Sequence, residues 1–75
     1  MNFMHTTQLV KKSFRLAGHA TSVALEPAFW DVLATIAQDK GLSLTQLVFE
    51  VDATMPPNLA SALRVYVVQH LSKSG

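Results

Sequence analysis

The stretch KKSFRLAGHATSVALEP, residues 11–27, holds two short apolar alternations that are out of step with each other. Phe14 and Leu16 occupy even positions, whereas Val23 and Leu25 occupy odd ones. Side chains of a strand alternate between its two faces, so one regular strand cannot put all four on a common face. The parity must be reset between them, and Ala17-Gly18 is the natural place for a turn. If that turn closes a hairpin with Leu16 facing His19, Arg15 lies opposite Ala20, Ser13 opposite Ser22 and Lys11 opposite Ala24. Phe14 then falls beside Thr21, and both apolar sets share one face. An Ala-Gly pair suits a type II turn better than the primed turns that hairpins favour.

Beyond Leu25 the apolar period lengthens from two to that of a helix. Glu26-Pro27 starts a first helix, because proline at the first helical position leaves no amide hydrogen unpaired. Phe29, Val32, Leu33, Ile36 and Ala37 follow the spacing of one buried helical face. Gly41 is the expected left-handed stop. Ser43 with Gln46 three residues on forms a capping box for a second helix, whose stripe is Leu44, Leu47, Val48 and Val51. Pro56-Pro57 ends it. Asn58 can cap a third helix, with Leu59, Leu63, Tyr66, Val67, His70 and Leu71 along one side. Trp30 adjoins the first stripe and Met55 extends the second, and core packing is the ordinary role of both. Residues 1–10 show no sustained period and are expected to be a flexible arm preceding a single domain over 11–75.

A chain of 75 residues buries only a thin core. Yet 49% of its residues are hydrophobic and 15% charged, against a usual charged share of about 25%. This apolar excess is relieved most simply by self-association. A lone strand or two-stranded hairpin is also weak in water, and pairing with the same strand of a second chain about a two-fold axis would strengthen it. A homodimer is therefore expected, and the remaining apolar surface leaves room for a tetramer or a protein partner.

With no cysteine, disulfides and thiolate–metal sites are excluded. Apolar runs are too short for a signal core or for the ~20 residues that span a bilayer, so the chain is expected to be cytoplasmic with no membrane partner. The net charge of +1 is unevenly spread. Residues 1–25 hold Lys11, Lys12 and Arg15 with no acid, while residues 26–75 hold more acids than bases. His5, His19 and His70 lack the spacing of a helical ligand pair, so no metal or cofactor is expected. Asp31, Asp39, Glu50 and Asp52 read as solvated helix faces, and no nucleophile–base pair or paired carboxylate suggests an enzyme.

The run SVALEPAFWDVLATIAQDKGLSLTQLV combines a strand ending in an apolar residue, a proline-started helix, a glycine and a Ser-capped helix. Together with GHAT before it, FEVD after it and the later NLASALRVYVVQHL, it resembles the ribbon-helix-helix (Arc/MetJ-like) family, in a branch of short bacterial proteins. The resemblance covers roughly residues 13–71 and implies a mainly α fold with a β-ribbon, in which two chains intertwine and share an antiparallel sheet. The third helix is an addition at the C-terminal end. In DNA-binding members the ribbon enters the major groove. Carried over by position, the resemblance turns Ala20, Ser22 and Ala24 towards the bases and Thr21, Val23 and Leu25 towards the helices. It places the phosphate anchor at Ser43, Leu44 and Thr45, a helix start whose free amides suit an anion. Val23, Leu25, Phe29, Leu33, Ile36, Leu47 and Val48 would form the dimer core.

This sequence departs from the family at Ala20, where ribbon readers commonly carry arginine or another long polar side chain. Alanine can touch a thymine methyl but makes no hydrogen bond to a base edge. The hairpin register offsets this by placing Lys11, Ser13 and Arg15 on the same outward face. The leading expectation is a DNA-binding transcriptional regulator that presents a dimeric ribbon to the major groove. The alternative is a protein-interaction or oligomerisation module, antitoxin-like in binding a partner, that keeps the fold without reading sequence.

Overall fold

The computed structural model describes residues 8–74. Residues 1–7, and His5 with them, lie outside the described range. Two strands, β1 (Val10–Leu16) and β2 (His19–Leu25), precede three helices, α1 (Pro27–Lys40), α2 (Leu44–Asp52) and α3 (Leu59–Ser74). The strands form an antiparallel hairpin in the register Leu16↔His19, Arg15↔Ala20, Phe14↔Thr21, Ser13↔Ser22, Lys12↔Val23, Lys11↔Ala24 and Val10↔Leu25. The parity conflict is thus resolved at Ala17-Gly18. The turn itself differs from the type II expectation: Ala17 has φ +51° and Gly18 φ +87°. Two positive φ angles are the pattern of a type I′ turn, whose twist matches that of the strands it joins.

Pro27 begins α1, and Gly41 ends it at φ +71°. The Gly41 amide donates to the Gln38 carbonyl at 3.1 Å and the Leu42 amide to that of Ala37 at 2.8 Å. This is a Schellman closure. The buried side of α1 is Trp30, Leu33, Ile36 and Ala37. Trp30 therefore takes the leading place expected of Phe29, which is half-buried. The hairpin explains the choice: the Trp30 ring lies 5.9 Å from that of Phe14, and its Nε1–H donates to the Val10 carbonyl at 2.7 Å.

The capping box on α2 has the expected geometry. Ser43 Oγ accepts from the Gln46 amide at 3.0 Å, and the Ser43 amide donates to Gln46 Oε1 at 2.7 Å. Leu47, Val48 and Val51 are buried. Met55 is not, being 86% exposed with φ +58°. The helix stops at Asp52, so its spacing no longer governs Met55, and the following proline disfavours a helical residue there. Asn58 caps α3 by accepting the Ser61 amide at 2.9 Å.

α2 packs on β1 and α3 on β2, with α1 against both of the other helices. The helices thus cover one face of the hairpin. Phe14, Leu16, Val23 and Leu25 meet Leu33, Leu47 and Leu63 in a single core. Within α3, Leu63 and Val67 are buried, but Leu71 is 54% exposed rather than on the inner side. It borders an open groove with Val32, Thr35 and His70.

Candidate nucleic-acid interface

The hairpin turns one face to the helices and the other to solvent. On the solvent face, strict alternation sets Lys11, Ser13 and Arg15 of β1 beside Ala24, Ser22 and Ala20 of β2. Five of these side chains are exposed and Ala24 is half-buried. Ser13 and Ser22 are joined through their hydroxyls at 3.0 Å. No carboxylate lies among residues 8–25, so the face carries two cations and no acid. Between the cations the floor is made only of methyl and hydroxymethyl groups.

The third base of the cluster is used differently. Lys12 alternates to the helical side, where its Nζ lies 5.7 Å from the centre of the Trp30 ring. That is a cation–π distance, and it removes Lys12 from the outward face.

Ser43, Leu44 and Thr45 are not on this face. They form the start of α2, outside the hairpin. The capping box satisfies the Gln46 amide. The amides of the first two helical residues, Leu44 and Thr45, are the ones that helix geometry leaves without an intrahelical partner.

The seven residues assigned to a dimer core divide six to one. Val23, Leu25, Leu33, Ile36, Leu47 and Val48 are buried by their own chain. Phe29 is half-buried, with the Arg64 guanidinium 5.7 Å from its ring. The apolar side chains left exposed lie elsewhere, among them Phe49 on α2 and Val65, Val68 and Leu71 on α3.

Two charged contacts gave no signal in the sequence. Arg64 donates through Nε and Nη2 to Glu26 Oε1, at 3.1 and 2.9 Å, tying the start of α1 to α3. The Glu26 carboxyl is held below the usual value, first by its own backbone amide and then by Arg64. Lys40 is raised above its usual value by the neighbouring Tyr66 hydroxyl. Both pairs join residues far apart in the chain, beyond the reach of any spacing rule. Lys40 and Tyr66 also border an open groove of about 430 Å³ between α2 and α3.

Among the described residues no three His, Asp or Glu side chains gather as a metal site would require. No described helix is long and apolar enough to cross a membrane.

Comparison with known proteins bears on the whole arrangement. No curated protein matches the chain. The solved structure of an uncharacterized protein from Bordetella pertussis Tohama I is similar, with a TM-score of 0.78 and 36% identity. The match covers 91% of this chain and 59% of that one, so the chain spans about three fifths of that protein's length. The family model described as ribbon-helix-helix domain matches residues 9–71. With a two-stranded hairpin followed by helices in the expected order, the chain belongs to the ribbon-helix-helix domain family.

Proposed function

We propose that the protein binds DNA as a homodimer and acts as a transcriptional regulator, with the outward face of the hairpin as its contact surface. The observation that carries this reading is the pairing of Lys11, Ser13 and Arg15 with Ala24, Ser22 and Ala20 on an acid-free exposed face. Lys11 and Arg15 supply the charge that phosphates require, and Arg15 can also make a bidentate contact to guanine. Ala20 and Ala24 offer at most a methyl contact to thymine. The free amides of Leu44 and Thr45, beside the Ser43 cap, are the further phosphate anchor.

The test is binding of the full chain to genomic fragments and to random duplex over a range of salt. Lys11→Ala and Arg15→Ala should each weaken binding and flatten its salt dependence, by about 0.9 in log–log slope for every phosphate no longer neutralised. An unchanged slope in both variants would refute the assignment of the face. Absence of binding even at low salt would favour the second reading, an interaction or oligomerisation module. That reading draws on α3, where Val65, Val68 and Leu71 are each about half exposed.

A further inference from the structure

The groove between α2 and α3 carries both a cation and a carboxylate, and they do not neutralise each other. Lys40, the last residue of α1, and Glu50, on α2, both line it. Glu50 is near enough to help hold Lys40 above its usual value, after the larger effect of the Tyr66 hydroxyl. Yet the two do not close into an ion pair of the kind that joins Arg64 to Glu26 at 2.9 Å. Between them runs an apolar wall of Val51, Ala62 and Val65, with Val51 buried and Ala62 half-buried. The groove is open, and its 430 Å³ lies within the range of small-molecule sites, about 300–1,000 Å³. None of its lining residues belongs to the hairpin.

The polar groups of the groove sort into donors and acceptors. The Lys40 Nζ lies 5.8 Å from the centre of the Tyr66 ring and beside its hydroxyl. An ammonium only donates, so the Tyr66 oxygen accepts from Lys40 and the phenolic hydrogen is left to donate. Lys40 and Tyr66 therefore present two donors. Thr54 spends its hydrogen on the Val51 carbonyl at 2.7 Å, so its oxygen can only accept. The Glu50 carboxylate is likewise an acceptor. Both belong to the C-terminal end of α2 and the turn after it, where the helix dipole is negative and the last turn holds no basic residue.

We propose that this groove binds a free α-amino acid with an apolar side chain, its carboxylate on Lys40 and Tyr66, its ammonium on Glu50 and Thr54, and its side chain along Val51, Ala62 and Val65. Only a zwitterion satisfies the donor set and the acceptor set together. A simple carboxylic acid leaves Glu50 without a cation, and a simple amine leaves Lys40 without an anion. Lys40 and Tyr66 also border an adjoining groove with Lys73, so positive charge accumulates on the side assigned to the carboxylate. The inference stands apart from the DNA-binding reading, which uses none of these residues.

The test is a titration of the isotope-labelled full chain with L-leucine, followed through the backbone amide shifts. Leucine should give saturable shifts centred on Lys40, Glu50 and Tyr66, while the amides of the hairpin stay in place. Isocaproate, which is leucine without its ammonium, and isoamylamine, which lacks its carboxylate, should each bind about tenfold more weakly, the loss expected for one charge-assisted contact. Lys40→Met and Glu50→Gln should each weaken leucine binding by about the same factor. Both side chains are exposed, so the fold should be kept, and the same spectra report it. Should a variant lose its fold, the two analogues decide the matter on the parent chain. Either analogue binding as tightly as leucine overturns the zwitterion assignment. No saturable shift with leucine, or shifts confined to the hairpin, overturns the site. The salt dependence of DNA binding is measured on Lys11 and Arg15, so neither failure touches that reading.

Discussion

Ala17 is the residue whose replacement tests the hairpin most directly. It is exposed, it lies at φ +51°, and it is followed by Gly18 at φ +87°. A left-handed conformation costs an L-residue about 1–2 kcal/mol, because Cβ crowds the following carbonyl oxygen. Asparagine tolerates that region better and, before glycine, is the preferred pair of a type I′ turn. Ala17→Asn should therefore recover about 0.5–1 kcal/mol. For a domain of this size, Tm moves by about 4–8 °C per kcal/mol, so a rise of about 2–8 °C is expected. Gly18→Ala is the opposite perturbation. A Cβ at Gly18 would meet nothing within 4 Å, so its effect isolates backbone strain from packing. It should lower Tm by about 4–8 °C, the equivalent of about 1 kcal/mol. Thermal melts followed by circular dichroism, at one fixed protein concentration, give both values, since association alone shifts Tm. A neutral Gly18→Ala together with no gain from Ala17→Asn would refute a turn with both central residues left-handed, and the register derived from it.

Trp30→Phe keeps a ring beside Phe14 but loses the donor to the Val10 carbonyl. It should cost about 1–2 kcal/mol in urea unfolding, of which the hydrogen bond is about 0.5–1.5 and the smaller ring area the remainder. A cost under about 0.5 kcal/mol would mean that Trp30 does not fasten α1 to the start of β1. Glu26 predicts a pH effect of definite sign. Its carboxyl is held below the ordinary 4.5 by its own amide and by Arg64, so its contribution is complete above the unfolded value and is lost as pH falls through the folded one. Glu26→Gln should make stability less dependent on pH below about 4.5. Acid denaturation identical to that of the parent chain would remove Glu26 from that account.

The sequence by itself determined everything set by near neighbours. The clash of parity between Phe14–Leu16 and Val23–Leu25 dictated a reset, and one turn position supplies both the reset and the register. Pro27, Gly41, the Ser43–Gln46 box and Asn58 each act on backbone groups within a turn of themselves, so the helix limits follow from local chemistry. Only the tertiary structure decided between neighbours that local rules treat alike. Trp30 is buried ahead of Phe29 because its indole reaches Phe14 and Val10, twenty residues upstream in the second case. Alternation along β1 already separates Lys12 from Lys11 and Arg15, but only the fold brings the Trp30 ring within 5.7 Å of its Nζ. Met55 is exposed although spacing places it on a stripe, because a helix face continues only where the helix does. Arg64 meets Glu26 across 38 residues. Such choices depend on the surface a distant segment presents after collapse, and no property of a residue and its own turn encodes that. The small outward residues Ala20, Ser22 and Ala24 belong to both accounts. Their alternation is written in the chain, but Lys11 and Arg15 join them on one exposed face only when β1 folds back onto β2.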